Sequence, residues 1–191
     1  EGCQEYLRTQ ITVMLPLVLR AVGDNERTVK EAAMFCLGQM AEHLTPEISL
    51  YGEQILPAAM AALEAPDVEV QMITCYVIEQ FCERLKSKQV APYMVAFMTK
   101  LLTLLQHGRP TLQEKTLSAI AALAIAAEEG FEQFLPATTG LLLQLLEVQD
   151  EKYKRLRGGA LDALGHISLA VGPDLFQPYL DLCMAACSHN L

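Results

Sequence analysis

An all-α solenoid of antiparallel helical hairpins is the fold this sequence predicts, and three observations predict it. A proline returns at near-regular intervals in similar surroundings: Leu15-Pro16, Leu56-Pro57, Ala91-Pro92, Leu135-Pro136 and Gln177-Pro178, separated by 41, 35, 44 and 42 residues. Each is followed by an apolar run of helical periodicity, a break marked by acidic residues, Pro or Gly, and then a second helical run. The β-branched stretches that strands require are missing, and the chain has no Trp. Two helices within a period of about 40–47 residues are the signature of HEAT-type repeats. Such hairpins stack into a right-handed superhelix because one hairpin cannot bury its apolar face alone.

Taken in order, the repeats are expected at about 9–45, 48–86, 90–129 and 131–172, with the first helix of a fifth at 174–191. That makes about nine helices in a single array over residues 1–191. First helices are expected to start around the recurring prolines, because a first-turn residue has no N–H partner to lose. Pro46, Pro66, Pro110 and Pro173 fall in the intervening breaks.

Second helices are aligned by shifting repeat 1 by 41, 85 and 127 residues, which gives apolar columns. These are Val29/Val70/Leu156, Ala33/Thr74/Ser118/Ala160, Leu37/Ile78/Ala122/Leu164 and Met40/Phe81/Ile125/Ile167. Their spacing defines one buried stripe per helix, and the small residues of the second column let a neighbouring helix come close. Ahead of the stripe stand Lys30, Gln71, Lys115 and Arg157, with Asp24, Asp67 and Asp150 upstream, a pairing expected to tie adjacent repeats together. The Gly158-Gly159 pair is expected to permit close helix packing.

Opposite the stripe lie Glu31/Met72/Thr116/Gly158, Phe35/Tyr76/Ile120/Asp162, Gln39/Gln80/Ala124/His166 and Glu42/Glu83/Ala127/Leu169, with Glu79 beside Tyr76. In repeats 1 and 2 these columns combine carboxylates, amides and aromatic rings. Carboxylates take an ammonium group, a ring packs on its aliphatic stem, and Gln holds an extended backbone, so the combination suits a lysine-rich peptide. The candidate binding residues are therefore Glu31, Phe35, Gln39, Glu42, Met72, Tyr76, Glu79, Gln80, Glu83, Asp162 and His166. The alternatives are a solvated helix face and, for Phe35 and Tyr76, packing into the neighbouring repeat. Repeat 3 offers little polarity, so a peptide would be gripped on either side of it.

Charge narrows the partners. With 14 basic and 23 acidic residues the formal net charge is −9, which repels nucleic acid and steers basic proteins inward. The basic run Lys152-Tyr153-Lys154-Arg155-Leu156-Arg157 lies within the repeat register and reads as structural. No apolar run approaches about 18 residues, so no membrane span is expected. The chain opens Glu-Gly-Cys without a charged-then-apolar leader and begins and ends inside the repeat pattern, which reads as a segment of a longer, unsecreted solenoid. The six cysteines sit in helical apolar stretches and read as reduced core thiols. Cys183, Cys187 and His189 match no common zinc spacing. No phosphate loop, nucleophile elbow or HExxH motif is present, so neither an enzyme nor a cofactor is expected.

Several strings carry a resemblance. Gly38-Gln39-Met40-Ala41-Glu42-His43-Leu44 with Pro46, Gln113-Glu114-Lys115 leading to Ser118-Ala119-Ile120-Ala121, Ala126-Ala127-Glu128-Glu129 before Phe131, and Leu156-Arg157-Gly158 followed by Ala170-Val171-Gly172 resemble importin-β-type karyopherins. The nearest branch is the one that carries ribosomal proteins and histones, and the likeness departs at Gly159 and in the alanine-rich third repeat. The resemblance implies a shuttling nuclear import receptor, in cytoplasm and nucleus. It would bind basic cargo on the concave, second-helix face and nucleoporin FG repeats outside, with release by Ran GTPase, whose principal contacts lie in amino-terminal repeats. A HEAT-repeat scaffold for a multiprotein complex is the alternative, although its repeats would be more uniform in length. A tubulin-binding array would present Trp and basic residues, which zero Trp and a charge of −9 oppose.

Overall fold

The computed structural model describes residues 3–148 and 150–190. Their contacts divide into two units, one ending at Leu85 and one beginning at Lys86. The first holds α1 (Gln4–Thr9), α2 (Ile11–Val22), α3 (Arg27–His43), α4 (Gly52–Leu63) and α5 (Val68–Cys82). The second holds α6 (Ser87–Val90), α7 (Met94–His107), α8 (Pro110–Ala127), α9 (Leu135–Leu146), α10 (Lys154–Val171) and α11 (Pro173–Asn190). Nine of the described helices are long, pairing as α2/α3, α4/α5, α7/α8 and α9/α10 with α11 following; α1 and α6 are short additions. The architecture is a HEAT-repeat helical solenoid, and none of these helices is long and apolar enough to cross a membrane.

The recurring prolines sit differently from expectation. Pro16, Pro57 and Pro178 lie inside α2, α4 and α11, each as the sixth residue. These helices start roughly a turn and a half ahead of their proline and carry one missing N–H bond there. Pro136 does stand in the first turn of α9, and Pro92 lies in the 3₁₀ turn Ala91–Tyr93 before α7. A 3₁₀ segment, Glu128–Phe134, runs up to α9 ahead of Pro136, whereas Pro92 is itself inside one, with α6 before it.

The second helices supply the core. In the first unit α3 packs beside α5, and Met34, Leu37, Ile78 and Phe81 are all at most 1% exposed, with Ala33 and Thr74 buried as well. In the second unit α8 packs beside α10, and Ala119, Ile120, Leu123 and Ala160 are fully buried. A Cβ on Gly159 would stand 3.2 Å from Leu117 Cδ1, so Gly159 does serve close packing. Gly158 faces open space and does not.

Register in repeat 3 requires a correction. The second helices begin at Arg27, Val68, Pro110 and Lys154, so repeat 3 aligns at a shift of 83 residues from repeat 1, not 85. The apolar columns then read Val29/Val70/Leu112/Leu156, Ala33/Thr74/Thr116/Ala160, Leu37/Ile78/Ile120/Leu164 and Met40/Phe81/Leu123/Ile167, and all but Val29 are buried. Thr74 and Thr116 confirm the match, each donating its hydroxyl to the carbonyl four residues back at 2.7 and 2.8 Å. Thr116, Ile120, Ala124 and Ala127 are therefore buried rather than outward, while Ile125, expected in the stripe, is exposed. Val29 is 37% exposed where its column partners are covered.

The column ahead of the stripe also acts otherwise than expected. At the fourth position of their helices, Gln71, Gln113 and Arg157 bond back to carbonyls at the end of the preceding helix or in the loop that follows it. Gln71 Nε2 donates to Ala65 O at 2.8 Å, Gln113 Nε2 to Leu105 O at 2.6 Å, and Arg157 Nη1 to Val148 O at 2.8 Å and Asp150 O at 3.0 Å. Asp67 caps α5 through the backbone N–H groups of Glu69 and Val70, and Asp150 caps the turn at Lys152. The tie between repeats is made by Arg27, whose Nε lies 3.1 Å from Asp67 Oδ2.

The thiols of Cys75, Cys82 and Cys183 are buried and in no disulfide, whereas Cys3 is exposed and Cys36 half-buried. The side chains of Cys187 and His189 lie outside the described residues.

Candidate functional site

Four of the sequence-derived candidates meet on the paired faces of α3 and α5. Phe35, Gln39 and Glu42 occupy successive turns of α3, and Tyr76 reaches across from α5. Tyr76 Oη donates to Glu42 Oε2 at 2.7 Å, and Gln39 Nε2 donates to Tyr76 Oη at 2.6 Å and to Glu42 Oε2 at 3.3 Å. The Phe35 and Tyr76 rings stack with centroids 6.2 Å apart and an interplanar angle of 23°. Tyr76 thus packs into the neighbouring repeat and still contributes its hydroxyl to a surface network. Phe35 keeps one side in solvent at 54% exposure.

Gly38, a residue that periodicity passed over, makes this possible. A Cβ there would lie 2.4 Å from Tyr76 Cε1 and 2.7 Å from Cδ1, so the ring crosses α3 only because residue 38 has no side chain. The pairing of a glycine in repeat 1 with a tyrosine 38 positions later was the available signal. Burial, followed by the hydrogen bond to Glu42 and the charges of Glu42 and Glu79, raises the Tyr76 phenol above its ordinary value. The hydroxyl accordingly stays protonated and holds the Glu42 carboxylate in place.

The other candidates divide. Glu31 is taken up by Arg27, whose Nε lies 2.5 Å from its Oε1 while also reaching Asp67, so it belongs to the inter-repeat tie. Met72, Glu79 and Gln80 are half-buried on α5, and Glu83, just beyond that helix, is exposed. Asp162 and His166 lie in the second unit as a pair one helical turn apart on α10, with His166 Nδ1 3.5 Å from Asp162 Oδ2. In the corrected register the corresponding positions of α8 are Glu114, Ser118, Ala122 and Ile125. Glu114 meets Arg155 of α10 at 3.8 Å, so part of the basic run is structural, as its placement suggested. Among the described residues no group of His, Cys, Asp and Glu could hold a metal ion.

Chemically, the α3–α5 face offers a fixed carboxylate, an amide group and an aromatic surface.

Comparison with known proteins gives the chain its relatives. The family described as importin subunit beta-1-like, TPR repeats, matches residues 8–157. The Probable importin subunit beta-4 of Schizosaccharomyces pombe is 30% identical over 184 residues, which cover 95% of this chain and 17% of that protein. Importin-4 of Homo sapiens is 30% identical over 195 residues, covering 100% of this chain and 18% of that one. Among solved structures, Kap121p bound to Pho4p superposes with a TM-score of 0.90 at 28% identity over 97% of this chain and 18% of the other. The chain therefore spans less than a fifth of the length of these relatives. With matching hairpins and matching sequence over most of its length, the chain belongs to the importin-β family of karyopherins.

Proposed function

We propose that this chain is a cargo-contacting segment of a nuclear import receptor. It takes a basic, lysine-rich stretch of protein on the second-helix face of α3 and α5, the face expected to be concave. The observation that carries this reading is the network of Phe35, Gln39, Glu42 and Tyr76, where a carboxylate is held beside an exposed ring on a chain of net charge −9. Kap121p, a structural relative, has been crystallised with Pho4p, with Ste12p and with Nup53p. By kinship the whole receptor would shuttle between cytoplasm and nucleus and engage nucleoporins and Ran, with ribosomal proteins and histones as the cargo class. It has no catalytic role.

The test is a salt series of binding to a fluorescent lysine-rich peptide. Glu42→Lys is expected to weaken binding about ten-fold or more at low salt, because it replaces attraction by repulsion. Gly38→Ala is expected to weaken it while leaving every charge in place, by displacing Tyr76. Unchanged helicity confirms that the fold survives. Binding indifferent to both substitutions would remove this face from consideration and favour the scaffold reading.

A further inference from the structure

We infer that Ser87 is a phosphorylation site whose modification releases α6 from the end of α8. Ser87 stands in Arg84-Leu85-Lys86-Ser87-Lys88, with an arginine three residues ahead and lysines on both sides. Arg84, Lys86 and Lys88 are exposed, and Lys86 has extended backbone at φ −88°, ψ 153°. An exposed basic side chain on extended backbone just ahead of a hydroxyl is what a kinase with an acidic substrate groove grips. Ser87 itself is half-buried and lines an open cavity of about 590 Å³, together with Ala127, Glu128, Glu129 and Gly172.

The hydroxyl has a structural task. Ser87 Oγ donates to the carbonyl of Ala127, the last residue of α8, at 3.1 Å, joining residues 40 positions apart within the second unit. In the modification Oγ attacks the terminal phosphorus of a nucleoside triphosphate. The O–P bond forms, the bond to the departing nucleoside diphosphate breaks, and the hydroxyl proton passes to the kinase's base. The product has lost its donor to Ala127. It also carries about −2 charge beside Glu128, Glu129 and the carbonyl end of α8, all of which repel it. The basic residues on either side attract the phosphate, but they lie on the solvent side and draw it outward.

The experiment treats the 191-residue chain with a serine/threonine kinase selective for arginine three residues before its target, with magnesium and ATP. Peptide mass spectrometry and hydrogen exchange provide the readouts. Expected are incorporation at Ser87, none in Ser87→Ala, and at least about ten-fold slower incorporation in Arg84→Ala. In the modified chain, amides of 87–93 and 128–134 are expected to exchange about ten-fold faster or more, with those of α3 unchanged. Failure of the folded chain to accept phosphate at Ser87, when a peptide spanning 80–92 does accept it, overturns the inference. So does a phosphorylated Ser87 with unaltered exchange.

Discussion

Cys82, at the end of α5, is fully buried, and desolvation pushes its thiol from the usual 9.0 up to about 12. A raised value in the folded state means that the native chain holds its proton where the unfolded chain gives it up. This contribution to stability is complete below about pH 9 and is lost as the pH climbs toward 12, at no more than about 1.4 kcal/mol per pH unit. Thermal unfolding measured from pH 8 to 11 should therefore show a falling midpoint that flattens in Cys82→Ala, whatever that variant loses in packing. Equal slopes in the two proteins would mean that another group governs alkaline unfolding. The burial of Cys82 was legible in the sequence, because it sits in an apolar helical stretch and reads as a core thiol. The partnership of Gly38 with Tyr76 was not. It depends on how closely two helices approach, which a one-dimensional pattern does not encode.

At the scale of a helix, the fourth residue of α5, α8 and α10 links each second helix to carbonyls at the end of the first or in the loop between them. Gln71 is the clearest case, 8% exposed and bonded to Ala65 O at 2.8 Å and to Leu63 O at 3.4 Å. Removing one partner leaves buried carbonyls unsatisfied, so Gln71→Ala should cost about 1–3 kcal/mol in denaturant unfolding. Breaking the exposed pair Lys152–Asp150 with Lys152→Ala should cost far less, because solvent screens it. Comparable losses from the two would contradict the clamp. The sequence placed Gln71 and Arg157 in one column but paired them with the acidic residues upstream. Backbone carbonyls are invisible in sequence, and the aspartates had a second use as caps. The two-residue slip in repeat 3 has a related origin. An alanine-rich helix buried on nearly every side, as α8 is, has no polar face to mark its phase. Pro110 at the helix start and Thr116 matching Thr74 were the anchors that fix it.

Over the whole chain, the period of the prolines was enough to establish a solenoid of paired helices, since any sequence with that spacing must bury its hairpins against one another. The division into two units at Leu85 and Lys86 was not readable, because every repeat carries the same kind of apolar stripe. The division has a thermodynamic consequence. In repeat arrays stability is approximately a sum of local terms and nearest-neighbour interfaces, so damage in one place need not spread evenly. Met34 has no exposure and sits on α3 in the first unit, where truncation to alanine should cost about 2–5 kcal/mol. Hydrogen exchange on Met34→Ala should accelerate strongly through α2 to α5 and much less in α8 and α10, whose own packing is untouched. A uniform acceleration across both sets of helices would show instead that the chain opens in a single cooperative step, with the boundary at residue 85 having no energetic meaning.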